Sequence, residues 1–139
     1  MNPAKIIIFM VIMGFVFFIT DQMVMSNNKF HMESAARTTT KAALLRSVEE
    51  GGIRTKHEAR IDLNVFYDQF AVYGNVNAGE KAMKNPYTGV YKVERFVPYA
   101  AVQIARAMES KTMKYYKNDK TIYRAKHRVV YIWDERYGK

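Results

Sequence analysis

The stretch Ile6-Ile-Ile-Phe-Met-Val-Ile-Met-Gly-Phe-Val-Phe-Phe-Ile19 decides how the rest of the chain is read. Its fourteen residues carry no polar side chain. A helix apolar all round needs lipid, or protein on every side. At 1.5 Å per residue this block rises about 21 Å, against a hydrocarbon core of ~30 Å. Pro3 and Ala4 before it, and Thr20 to Met25 after it, close the difference, while Lys5 can snorkel to the headgroups. Three readings compete. A buried core helix asks the remaining chain to wrap it, and that chain is too small. A cleaved signal peptide finds a loose cleavage site at Val24-Met25-Ser26. A retained transmembrane helix fits the extended run, and residues 1–25 are taken as that anchor. Asp21 and Gln22 then fall near the far interface. They form an interfacial polar pair, or supply a carboxylate to a partner's cation. Lys5 and the α-amino group before the span nearly balance Lys29 and Arg37 after it. The short tail ahead of the span favours a cytoplasmic N-terminus and an extracytoplasmic C-terminal domain.

Working outward, no Pro occurs between Pro3 and Pro86, and no Gly between Gly14 and Gly51. Residues 21–50 are helix formers with a stripe at Met25, Met32, Ala36, Thr39 and Ala43, spaced by three, four and seven. Glu33 and Arg37 form a favourable i,i+4 pair. Gly51-Gly52 is a stop signal. One helix from Pro3 to Glu50, about 70 Å long, is expected, with residues 26–52 as an amphipathic stem. Thr38-Thr39-Thr40 marks a place for a bend. The stripe must pack on the chain's own C-terminal domain or on other copies.

Residues 53–139 read as a small head. An extended arm over 53–61 leads to Asp62, an expected N-cap for a helix carrying Leu63, Phe66, Tyr67, Phe70, Ala71 and Tyr73. Gly74 is expected to end that helix, and 74–89 to be loop. The period then changes to two. Residues 90–97 form a strand ending at Pro98, and 121–133 another, with a hairpin turn at Lys117-Asn118-Asp119-Lys120. Between them 100–108 reads as helix by its alanines or as strand by its alternation, and its place between two strand-like runs favours a strand. In the third strand Tyr123, Ala125, His127, Val129, Tyr131 and Trp133 share the packing face. Arg124, Lys126 and Arg128 lie opposite. The fold class is therefore α+β: a long N-terminal helix, a short helix and a small antiparallel sheet.

The chain has 139 residues and a net charge of +9, from 22 Lys and Arg against 13 Asp and Glu. With 49% apolar residues it is no disordered chain. The absence of cysteine excludes disulfides, thiolate zinc sites and a cysteine nucleophile. No phosphate-binding glycine loop, nucleophile elbow or His-Glu-x-x-His is present. His31, His57 and His127 lie far apart, without ligand partners at i+3 or i+4. No catalytic residue, metal or cofactor is expected. The strongest polar feature is the basic run 111–128, with Tyr115, Tyr116 and Tyr123 interleaved. Tyr115, Arg124, Lys126 and Arg128 are the candidate anion-binding set, facing nucleic acid or an anionic surface. The bland reading is a solvated face that blocks edge pairing.

The plan resembles type IV pilin-like proteins, most closely the TadE-like pseudopilins. The best local piece runs from Ala35-Ala36-Arg37-Thr38-Thr39-Thr40-Lys41-Ala42-Ala43-Leu44-Leu45 to Gly51-Gly52, a small-residue stem ending at a glycine stop. The resemblance implies a structural subunit of a pilus or secretion apparatus. Its partners would be the bilayer and other subunits, and it would have no enzymatic activity. The chain departs from the prepilin-peptidase pattern: Gly14-Phe15 is followed at the fifth position by Ile19, not Glu. An unprocessed minor subunit fits better. The alternative is an anchored binding module whose basic sheet captures nucleic acid or an anionic polymer.

Overall fold

The computed structural model describes residues 3–48, 60–96, 99–117 and 122–132. Helix α1, Pro3–Ser47, is followed by α2, Leu63–Asn77, and a single turn α3, Glu80–Met83. Strands β1, Gly89–Glu94, and β2, Tyr99–Glu109, come next, then helix α4, Lys111–Lys117, and strand β3, Ile122–Ile132. The α+β arrangement is the one the periodicities imply. Glu50, the Gly51-Gly52 stop, arm residues 53–59 with His57, residues 97–98, the turn at 118–120, Thr121 and Trp133 lie outside the described residues.

Helix α1 passes through Thr38-Thr39-Thr40 without a break. Thr39 and Thr40 are accommodated because their hydroxyls find carbonyls. Thr40 Oγ1 donates to Ala36 O at 2.7 Å, and Thr39 Oγ1 to Tyr73 O at 3.4 Å. At 45 residues the helix is about 67 Å long. It is long and apolar enough to cross a membrane. Its upper part is the spine of the head. Met32, Ala36, Thr39 and Ala43 are buried, and Met25 is half-buried. The small side chains let α2 and the sheet come close, and Leu44, Phe66, Val102 and Ile104 complete the core. Stem and head thus share one core. The chain's own head, rather than a second copy, covers Met32, Ala36 and Ala43 of the stripe here.

Asp62 caps α2 as expected, accepting from Asn64 N at 2.9 Å and Val65 N at 3.3 Å. The end of that helix differs from expectation. It continues to Asn77, with Gly74 inside it. Gly74 is buried against Met83, whose side chain fills the space a Cβ would need. The glycine serves close approach here, not termination. Residues 74–89 are correspondingly not all loop, because α3 turns within them after Gly79 at φ +86°.

The sheet has order β1-β2-β3 and is antiparallel throughout. β2 pairs with β3 without slippage from Tyr99↔Ile132 to Glu109↔Ile122. The inner face of β3, including Ala125, His127 and Val129, turns toward α1, and the expected alternation holds from Ala125 onward; Tyr123, expected on the packing face, is exposed near the start of the strand. The β2–β3 connection contains α4, so it is no tight hairpin. Ser110 explains the difference: it caps α4, its Oγ accepting from Met113 N at 3.1 Å.

Candidate functional site

Two constellations stand out from the packing. The first is on the outer face of the sheet. Period-two alternation puts Arg124, Lys126 and Arg128 on one side of β3, and all three are exposed. They pair with Ala107, Ala105 and Gln103 of β2. The alanines leave room for the long side chains to lie across the sheet, where they meet tyrosines. The Arg124 guanidinium sits 4.6 Å from the Tyr87 ring centroid, Lys126 Nζ 5.7 Å from the same ring, and Arg128 5.1 Å from Tyr91.

Gln103 organises this face. It is buried, and its Nε2 donates to Tyr87 O at 2.6 Å. Its Oε1 accepts from Arg128 Nε at 2.7 Å and from the Tyr91 hydroxyl at 3.1 Å. Thr88 ties the start of β1 down, donating to Ala82 O at 2.7 Å and accepting from Ala105 N at 2.9 Å. Further along the same edge Lys92 lies 5.6 Å from the Tyr99 ring. Tyr99, by hydrogen bond and charge, raises the Lys92 ammonium above its ordinary value, and Glu94 adds to this.

The structure brings Arg124, Lys126 and Arg128 together but places Tyr115 elsewhere, on α4 with its ring 4.8 Å from Phe17. The aromatic partners of the cations are Tyr87 and Tyr91, which sequence reasoning did not single out. Tyr87 follows Pro86 in a segment read as loop. Tyr91 lies where a bulge between Val90 and Lys92 breaks the simple alternation.

The second constellation joins α1 to α4. Asp21 Oδ2 accepts from Ser110 Oγ at 2.7 Å and Thr112 N at 3.0 Å, and Oδ1 accepts from Lys111 N at 3.0 Å. This carboxylate is held by the start of a helix in its own chain. From that lock α4 runs down α1. Tyr115 meets Phe17, and a Cβ at Gly14 would collide with the Tyr116 ring and hydroxyl. Lys111 and Lys114 are exposed on α4. The missed signal was Ser110, an N-cap residue at the end of a strand-like run.

Among the described residues His31 and His127 do not converge: His31 is exposed beside Phe30, and His127 is half-buried on the inner sheet face. Among the described residues no three His, Cys, Asp or Glu side chains group as metal ligands do. No family model, curated protein or solved structure matches the chain.

Proposed function

We propose that this chain is a membrane-anchored structural subunit of pilin-like plan, acting as a minor component of a surface or secretion assembly rather than as an enzyme. One observation carries the reading. The same helix is bare and apolar over its first half and is the core of a folded head over its second. A side-chain surface of this size and apolarity is stable only in lipid or against other apolar helices. The bilayer and neighbouring subunits are the partners, and the head stands outside.

Because the head occupies Met32, Ala36, Thr39 and Ala43, contacts between subunits fall to the bare part of α1. Phe9, Val16, Met23 and Phe30 recur there at seven-residue spacing and are all exposed. The chain has no cysteine, so Val16→Cys supplies a single reporter. Mild oxidation of native membranes should give disulfide-linked dimers through Val16→Cys and none through Tyr67→Cys on the outer side of α2. Monomer alone at Val16→Cys, or release of the intact chain by carbonate, overturns the reading.

The Tyr87–Tyr91–Arg124–Lys126–Arg128 array favours a second reading, an anchored module that captures nucleic acid or an anionic surface polymer. Cations held flat on aromatic rings offer both charge and stacking surface to such a ligand. Retardation of single-stranded DNA by the full chain in detergent, lost on Arg124→Ala/Arg128→Ala, supports it. No retardation at moderate salt removes it.

A further inference from the structure

We propose that α4 is a foot on the membrane surface: Lys111 and Lys114 engage the headgroups of anionic phospholipid, while Tyr115 and Tyr116 occupy the interfacial layer beside α1. The inference rests on the anchored reading above and deepens it by naming the lipid class and the level at which the bilayer meets the fold.

Three observations converge on that level. The first is the polarity of α1 itself. From Ile6 to Ile19 its exposed side chains are all apolar. Above Asp21 the exposed positions include Gln22, Ser26, Asn27 and Lys29. The change from lipid-like to water-like surface therefore falls at about residues 20–22, the level at which Asp21 holds the start of α4. The second is rigidity. Asp21 holds Ser110, Lys111 and Thr112 by three hydrogen bonds, and Phe17 and Gly14 receive Tyr115 and Tyr116. The foot is thus fixed to the anchor, not tethered loosely to the head. The third is composition. Residues 111–117 carry three lysines, two tyrosines and no acidic residue. Tyrosine favours the headgroup layer, where its ring and hydroxyl meet different media. Lysine beside an anionic leaflet gains attraction that water alone does not give it.

An apolar trough lies between α1 and α4, lined by Val11, Phe15, Phe18 and Tyr116, with Thr112 at its edge. Chain and headgroup of one lipid would find their matching surfaces there side by side. This combination fits a phospholipid better than a soluble polyanion, which has no use for the trough.

The test uses the full chain, cysteine-free by nature, carrying one nitroxide at a time. The labels go on Ile7→Cys, Tyr116→Cys and Tyr67→Cys. Vesicles of phosphatidylcholine are compared with and without phosphatidylglycerol. The expected result is a label deep in the hydrocarbon at 7, one in the interfacial layer just below the headgroups at 116, and one in water at 67. Adding Lys111→Gln/Lys114→Gln should weaken the headgroup attachment of the 116 label about 25-fold in the phosphatidylglycerol vesicles. The same pair of changes should leave its depth in pure phosphatidylcholine unaltered. A 116 label in bulk water while the 7 label is deep overturns the foot and spares the anchor. So does a depth at 116 indifferent to both lipid charge and the lysines. A 7 label in water overturns the anchor and the foot together.

Discussion

The two halves of α1 have the same backbone and opposite surroundings. Phe9 is 63% exposed and Leu44 is 0% exposed, although both are large apolar side chains on one unbroken helix. The difference lies in their neighbours. Around Leu44 the helix carries Ala36, Thr39, Thr40 and Ala43, small enough for α2 and the sheet to close over it. Around Phe9 it carries Ile, Met, Val and Phe on every side, which no single protein layer can cover. Hydrophobicity alone does not choose between a core and a bilayer. The mixture of large and small residues does.

The largest effect expected is on the lower half. Ile8→Asp with Ile12→Asp puts two carboxylates into the apolar block, each costing about 3 kcal/mol at mid-membrane. Together, about 6 kcal/mol should move the chain out of the membrane fraction. The melting of the head should stay within about 0.5 kcal/mol, because both positions are more than half exposed. Membrane retention of this variant, or collapse of its head, would erase the contrast between the halves.

The upper half should show the reverse. Phe66 is fully buried, with its ring 6.1 Å from Phe70. Phe66→Ala should cost the head about 3–5 kcal/mol in denaturant unfolding and leave sedimentation with membranes unchanged. A small loss there would mean that the stem is not held by the head's core.

This division was legible in the sequence because it rests on periodicity and composition. The uniform block at 6–19, the small-residue stripe and the alternation of β3 each state their surroundings locally. What was not legible depends on contacts distant in sequence. Gly74 reads as a stop until Met83 is seen to press on it. Asp21 reads as an isolated polar residue until Ser110, nearly ninety positions on, is found at its carboxylate. The cations of β3 were identified, but their tyrosines come from across β2, and pairing order cannot be read from a single strand. The spacing from Met25 to Ala43 reads as a packing stripe. Which surface covers it is decided by the sheet's placement, not by the stripe.

Asp21 lies at the joint between the two halves, and its removal should act locally. A hydrogen-bonded carboxylate contributes about 1.5–3 kcal/mol per interaction to what it holds, less where water reaches it. Asp21→Ala should therefore speed hydrogen exchange at the Lys111 and Thr112 amides at least tenfold, about 1.4 kcal/mol. Amides in the β2–β3 ladder should exchange as before. Equal acceleration in the sheet would show α4 to be part of the head's cooperative core rather than a separate attachment to the anchor.

The smallest effect belongs to the solvent side of the upper half. Arg37 and Glu33 are paired at 2.9 Å, but their side chains are 67% and 40% exposed. Water and salt screen such a pair, and an exposed i,i+4 contact is worth about 0.3–0.5 kcal/mol. Arg37→Ala should therefore shift unfolding by no more than about 0.5 kcal/mol, and added salt should erase even that. Ala36, one position away on the inward face, gives the matched control. Ala36→Leu forces extra volume into a fully buried site and should cost about 1–3 kcal/mol. If the two substitutions cost the same, stability in the upper half comes from helix propensity and not from the face it turns to the head.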